Sequence, residues 1–334
     1  MTDVNKVVLS ECSTIYLNRD CPRNCSFCSN KKDMKSLDGN QWCQVFDRLQ
    51  DWFGTKFFLI LGIEPLMLPE DDLKTIIDYF KERTDLEYAF YTTAPYSYLA
   101  KLDRLFKYGL RNASCGIDVL PVGNDPLCKK AKSAIRIFDL ASTYDSVTEM
   151  HALITISKVN IGMVPRLIEY LVGRYGNTKK LHIGLNYIEH GDGQDFDFAP
   201  ECCPESFSSS DNELLAQFSN NMNEVYKQFG NFIQTPYEYI QNYENAITLD
   251  KQCNMVIPCV DADGSLRKCG YRTGNFNNLN ILNDLNKQDI RNLYINEVSK
   301  CNGCYWAYSY IVSNNNELVD YRSKTWKERL DLEQ

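Results

Sequence analysis

Short apolar, β-prone runs alternate along the chain with stretches whose apolar residues recur at helical spacing. "TIYLN" (14–18) is the first run, followed by a helix-compatible stretch around Val45 to Trp52 and by "KFFLILG" (56–62). In "PEDDLKTIIDYFKER" (69–83), Leu73, Ile76, Ile77 and Phe80 share one helical face. Acidic residues lie in its first turn and basic residues in its last, as the helix dipole favours. "EYAFYTTA" (87–94) reads as a third strand, and a helix runs from near Pro95 to a glycine cap at Gly109. The pattern continues with "ASCGIDVL" (113–120), "KKAKSAIRIFDLAS" (129–142), "EMHALITIS" (149–157), "MVPRLIEYLVGRYG" (163–176) and "KKLHIGLNYI" (179–188). After a polar loop (191–209), Ser210 and Glu213 predict a capping box for a sixth helix that buries Leu214, Phe218, Met222, Val225 and Phe229.

Six strand–helix units of roughly 30 residues predict an α/β fold with a parallel sheet and right-handed crossovers. Such sheets carry their chemistry in the loops after the strands' C-terminal ends. From about Asn231 the chain becomes rich in Asn and Tyr, with a hairpin expected at "DADG" (Asp261 to Gly264) and a helix from Asp289 to Lys300. The expected division is 1–230 for the α/β domain and 231–334 for a smaller unit.

Composition narrows the functional classes. The chain has 334 residues, 44% of them hydrophobic, and a net charge of −8. With no basic run longer than Lys31-Lys32, an extended nucleic-acid footprint is disfavoured. No stretch approaches the length of a membrane span, and the N-terminal segment lacks the pattern of a signal peptide, so a cytoplasmic location is expected.

The fourteen cysteines are the unusual feature. In a cytosolic chain, clustered thiols point to metal or catalysis rather than disulfides. Cys21, Cys25 and Cys28 lie in "RDCPRNCSFCSN", in the loop after the first strand, and Cys253, Cys259, Cys269, Cys301 and Cys304 form a second group. Structural zinc takes four ligands, whereas the first group offers three and has no histidine nearby. Three thiolates on a tight loop suit a cubane iron–sulfur cluster with one iron open to a substrate or cofactor. The second group, a CxxC pair plus further cysteines, fits either structural zinc or iron–sulfur.

"CPRNCSFC" resembles the CxxxCx(aromatic)C signature of radical S-adenosylmethionine (radical SAM) enzymes, with Phe27 at the aromatic position. The resemblance implies a partial (β/α)6 barrel, with Cys21, Cys25 and Cys28 holding a [4Fe–4S] cluster whose fourth iron takes the amino and carboxylate groups of SAM. "GIEP" (62–65) is similar to the family's GGEP motif, with Ile63 replacing a glycine. It implies contact with the SAM amino group from Gly62, Ile63 and Glu64. "CGIDV" (115–119) is similar to the ribose-contacting segment, with Gly116 where serine is common and Asp118 retained. The second group resembles a twitch extension, a truncated SPASM domain. That resemblance implies one auxiliary [4Fe–4S] cluster on Cys253, Cys269, Cys301 and Cys304, with Cys259 as a possible replacement for Cys253.

The implied activity is reductive cleavage of SAM to a 5′-deoxyadenosyl radical that abstracts a hydrogen atom, with a one-electron donor such as flavodoxin or ferredoxin as partner. About twenty residues precede Cys21, too few for the winged helix that often recognises peptides in relatives. The expectation is therefore oxidation or rearrangement of a sugar- or nucleotide-like small molecule. The alternatives are crosslinking, epimerisation or oxidation of a ribosomal peptide, and a non-catalytic iron–sulfur or zinc scaffold. His151 and His182 read as strand packing residues and His190 follows a strand. Cys202 and Cys203 read as idle thiols in the loop after the sixth strand, and Tyr305, Trp306 and Tyr308 as shielding for the auxiliary cluster. No catalytic acid, base or hydrogen donor is assigned.

Overall fold

The computed structural model describes residues 8–22, 34–61, 63–93, 95–188, 207–244, 255–269 and 275–298. It forms two compact units. The first comprises Met1–Arg111, Gly191–Glu201 and Gln252–Cys301; the second comprises Asn112–His190, Cys202–Lys251 and Asn302–Gln334.

In the first unit, β1 (Val8–Leu9) is followed by β2 (Cys12–Tyr16), α1 (Gly39–Phe53), β3 (Phe57–Leu61), α2 (Glu70–Glu82), β4 (Glu87–Phe90) and α3 (Leu99–Tyr108). β2, β3 and β4 pair in parallel, with Ile15 opposite Ile60 and Ile60 opposite Phe90. α1 starts at a reciprocal Asp38/Gln41 capping box and ends at Gly54, whose φ of 72° lies in the left-handed region that favours glycine. Its apolar face (Trp42, Val45, Phe46, Leu49, Trp52, Phe53) is buried. Phe46, Phe58 and Phe80 meet there at centroid distances of 5.1–5.5 Å. Each such buried ring contributes about 1.5–3 kcal/mol through the area it removes from water. The expected face of α2 (Leu73, Ile76, Ile77, Phe80) is buried as well.

The C-terminal part of the chain completes this sheet. The hairpin expected at Asp261–Gly264 joins β9 (Cys259–Val260) to β10 (Ser265–Arg267), and β11 (Asn275–Asn280) pairs beyond it. β9 also pairs in parallel with β2, Thr14 opposite Cys259, giving the order β11-β10-β9-β2-β3-β4. β8 (Met255–Val256) pairs with β1. Helix α8 (Lys287–Val298) turns Ile290, Tyr294 and Val298 inward. The Tyr294 hydroxyl meets both the N–H and the carbonyl of Cys259 at 3.3 Å.

The second unit holds β5 (Asn112–Gly116), α4 (Pro126–Ser142), β6 (Glu149–Ile156), α5 (Val164–Tyr175), β7 (Leu181–Tyr187), α6 (Asn212–Phe229) and α7 (Tyr237–Gln241). β5, β6 and β7 are parallel. Along β6, Met150, Ala152, Ile154 and Ile156 are fully buried, whereas Leu153 and Thr155 on the other face are partly exposed. On the outer side of β7, side chains take over the ladder bonds. The Leu185 N–H donates to the Thr235 hydroxyl at 2.7 Å and the Tyr187 N–H to Tyr239 at 3.0 Å.

α6 departs from expectation in register. The capping box is Ser208/Asp211, two residues before the expected Ser210/Glu213, and a 3-10 turn over Ser209–Asp211 leads into the helix. Three consecutive serines offer competing caps, and the register adopted buries Phe207 against Tyr187 at 6.0 Å. Leu215 and Tyr226 are consequently buried, while Leu214 is exposed and Phe229 is only half-buried. Among the described residues, no helix is long and apolar enough to cross a membrane.

Candidate functional site

Three strand-end loops of the first unit are tied together by buried polar groups. Asn18, just after β2, donates its Nδ2 to the carbonyl of Glu64 at 2.6 Å and accepts the Glu64 N–H at Oδ1, at 3.4 Å. The Ile63 N–H donates to the Asn18 carbonyl at 3.3 Å. The Glu64 carboxylate reaches the loop after β4. One oxygen accepts from the Thr92 hydroxyl at 2.5 Å and the Leu66 N–H at 3.2 Å; the other accepts from the Thr93 hydroxyl at 2.8 Å and the Thr93 N–H at 2.9 Å. Four donors occupy the two oxygens, about the full lone-pair capacity of a carboxylate. Burial pushes the Glu64 pKa up, and the bonds from Thr92, Thr93 and Leu66 pull against that shift. The side chain of Glu64 is thus engaged in bracing the loops after β3 and β4.

One residue beyond Asn18, Arg19 enters a second buried arrangement. Its Nε and one terminal nitrogen form a two-pronged pair with Asp261, at 2.5 and 2.8 Å, and Arg267 donates to the same carboxylate at 3.1 Å. All three side chains are fully buried, and the Tyr16 ring stacks on both guanidinium groups, at 3.9 Å from Arg19 and 5.2 Å from Arg267. Burial alone would raise the Asp261 pKa, but the bonds from Arg19 and the two positive charges outweigh it and hold the carboxyl below its usual range.

Cys21 lies two residues past Arg19 and is buried; Cys269 lies two residues past Arg267 and is half-buried. Soft thiol donors next to buried guanidinium groups fit an iron–sulfur cluster, because positive charge favours the thiolate. Among the described residues, no group of three or more Cys, His, Asp or Glu side chains is close enough to hold a metal ion. Cys25, Cys28, Cys253, Cys301, Cys304 and Gly62 lie outside the described residues, as do His190, Cys202, Cys203, Tyr305, Trp306 and Tyr308. Cys259 sits within the sheet, and complete burial raises its pKa far above the usual thiol value, Arg267 and Arg19 opposing the shift.

In the second unit, Asp118 follows β5 and is buried. It pairs with Lys130 of α4 at 2.6 Å and accepts the Thr155 N–H at 3.0 Å. Asn160 links the neighbouring loops, donating to the carbonyls of Asp118 (2.8 Å) and Thr155 (2.6 Å). Gly116 makes room for the pair: a Cβ there would lie 2.9 Å from Lys130 Nζ. His151 and His182 are paired in register in the N-terminal halves of β6 and β7, away from the strands' C-terminal ends.

Asn18, Thr92, Thr93, Lys130 and the Arg19–Asp261–Arg267 group were not evident from sequence. The only local signals were charged residues at a strand exit (Arg19) and within a short strand (Arg267).

The sequence profile of the Radical SAM superfamily matches residues 15–169, from β2 into α5. Residues 15–169 are a radical SAM domain. The chain therefore carries the catalytic domain of a radical SAM enzyme, and its loop after β2 is the one in which the CxxxCxxC triplet lies.

The fold of the chain is similar to that of SuiB from Streptococcus suis. Bound to its precursor peptide SuiA, SuiB superposes with a TM-score of 0.60 at 15% identity, covering 93% of this chain and 75% of that one. Bound to S-adenosylmethionine, it gives a TM-score of 0.60 at 14% identity, covering 92% and 75%. No curated protein matches the chain by sequence.

Proposed function

We propose that this chain is a peptide-modifying radical SAM enzyme that reshapes a side chain or backbone carbon of a ribosomally made peptide. The observation that carries the substrate class is the likeness, over 93% of the chain, to a protein whose structure holds its precursor peptide. This reverses the preference for a small molecule, which rested only on how few residues precede Cys21.

Cys21, Cys25 and Cys28 hold the SAM-binding [4Fe–4S] cluster. When bound, the cluster and SAM supply one-electron cleavage of the sulfonium carbon–sulfur bond and, through it, hydrogen-atom abstraction. The backbone of Gly62 and Ile63 would meet the SAM amino group; the Asn18 carbonyl holds the Ile63 N–H and the Asn18 side chain holds the Glu64 backbone. Asp118, oriented by Lys130, takes the ribose.

Residues 1–230 form the partial (β/α)6 barrel. Residues 231–334 form the twitch-like extension, with Cys253, Cys269, Cys301 and Cys304 holding one auxiliary [4Fe–4S] cluster. Cys253 is taken as the fourth ligand, with Cys259, which lies in β9 between β2 and β10, as its replacement. A flavodoxin or ferredoxin supplies the electron.

The test is anaerobic reconstitution with iron and sulfide, then SAM, dithionite and short peptides encoded beside this chain. Deoxyadenosine release together with a mass change in one peptide, both lost when Cys21, Cys25 and Cys28 are changed to Ala, is the expected result. Deoxyadenosine stimulated only by sugars or nucleotides would return the small-molecule reading to first place. Absence of SAM binding by a cluster-loaded protein would remove the enzymatic reading altogether.

A further inference from the structure

The Arg19–Asp261–Arg267 group joins segments about 240 residues apart in sequence, and each end of it leads within two residues to a proposed cluster cysteine. The hairpin that carries Asp261 also grips the far end of the first cysteine loop, since the Leu37 N–H donates to the Ala262 carbonyl at 2.8 Å. Residues 19 and 37 thus flank the CxxxCxxC triplet and are held by adjacent residues, 261 and 262, of one turn.

Stability alone is a poor account of such a group. Removing ions from water costs several kcal/mol each, and a well-packed apolar trio of the same volume is often as stable or more so. What apolar side chains could not provide is charge in a water-free interior, where it acts at long range. Clusters ligated by thiolates carry negative charge that grows on reduction, and their potentials respond to nearby charge and to burial.

We propose that the Arg19–Asp261–Arg267 group is a shared electrostatic setting for both iron–sulfur clusters: its guanidinium groups raise the two reduction potentials together and so ease one-electron reduction of each. This rests on the assignment of Cys21 and Cys269 as ligands of the two clusters. Arg19 and Arg267 act here as positioning and tuning residues and touch no reacting atom.

The experiment is a redox titration of the reconstituted holoenzyme followed by electron paramagnetic resonance, on wild type, Arg267→Gln and Arg267→Lys. Arg267→Gln keeps a donor for Asp261 but removes one unit of charge. It is expected to lower both midpoints, changing the reduced-to-oxidised ratio at fixed potential on the order of tenfold, about 59 mV for a one-electron couple. Arg267→Lys keeps the charge and is expected to titrate as wild type. Unchanged midpoints in Arg267→Gln, or a Lys variant displaced as far as the Gln variant, would overturn the proposal. If Arg267→Gln does not fold, Arg267→Met removes the same charge and is read in its place: lowered midpoints support the proposal and wild-type midpoints overturn it. Iron content of Cys21→Ala and Cys269→Ala separates the two levels of argument. Each should lose one cluster; a variant that keeps both removes the ligand assignment and the proposal with it.

Discussion

Asn18 and Glu64 bind each other through reciprocal bonds: the Asn18 amide donates to the Glu64 carbonyl at 2.6 Å, and the Glu64 N–H donates back to Asn18 Oδ1 at 3.4 Å. Both residues are buried. The side chain of Asn18 therefore replaces a strand neighbour for a backbone segment that has left the sheet, and fixes the "GIEP" loop against the exit of β2. Asn18→Ala leaves a buried carbonyl and N–H without these partners, at a cost of about 1–3 kcal/mol for the unsatisfied groups. Denaturant unfolding should show that loss. Equilibrium dialysis should show weaker SAM binding, because the Glu64 backbone, next to the proposed cofactor contact at Ile63, is no longer held by the Asn18 side chain. Unchanged SAM affinity in a measurably destabilised variant would separate the brace from the cofactor site.

Glu64 gives the stability of the molecule a specific pH dependence. Its pKa in the folded chain is raised, chiefly by burial, so the folded state holds this proton more tightly than the unfolded state. In the window between the ordinary glutamate value and the raised one, the folded state binds more protons, and stability falls as pH rises. Glu64→Gln removes that titration and also places an amide NH2 among the N–H donors of Leu66 and Thr93. The variant should be less stable than wild type, with the gap widest at the acidic end of the window and narrowing as pH increases. A pH-independent difference in unfolding free energy would contradict the raised pKa.

Gly116 and Lys130 allow a gentler perturbation. A serine at 116 would bring its Cβ to 2.9 Å from Lys130 Nζ, the mobile end of a flexible side chain that can move aside. Gly116→Ser should thus cost about 1 kcal/mol or less in stability. The displaced lysine would release Asp118, which it holds at 2.6 Å. The measurable consequence is a higher KM for SAM with little change in melting temperature. Equal changes in Gly116→Ser and Lys130→Met would tie both to the orientation of Asp118.

The strand–helix alternation was legible because each element carries its own period and punctuation. The buried stripe of α2, the positive φ of Gly109 (124°) and the Asp261–Gly264 hairpin all follow from local residue choice. Pairing between β2 and β9 was not legible: β9 has two residues, too few to show a period, and its partner lies more than 240 positions away. The Arg19–Asp261–Arg267 group escaped for the same reason, since nothing local marks three charged residues as one cluster. The cap of α6 was misjudged because three adjacent serines are chemically equivalent. Burial of Phe207, a tertiary contact, chooses among them.

Asp261 is the carboxylate on which the buried arginines of the first unit converge, and its removal should be the most damaging single change among the three. Asp261→Asn takes away the negative charge facing both Arg19 and Arg267 and leaves two guanidinium groups side by side in a dry interior. Breaking a buried pair in this way costs about 3–5 kcal/mol, a large share of the stability of an ordinary domain. Arg267→Met, by contrast, leaves the two-pronged Arg19–Asp261 pair intact and adds apolar volume, so a smaller loss is expected. Because Asp261 and Ala262 hold both flanks of the triplet loop, Asp261→Asn should also lower the iron bound on reconstitution. Denaturant melts and iron analysis of the two variants check this order. If Arg267→Met proved the more destabilising, the Arg267 contacts would outweigh the carboxylate, and Asp261 would lose its place as the hub of the group.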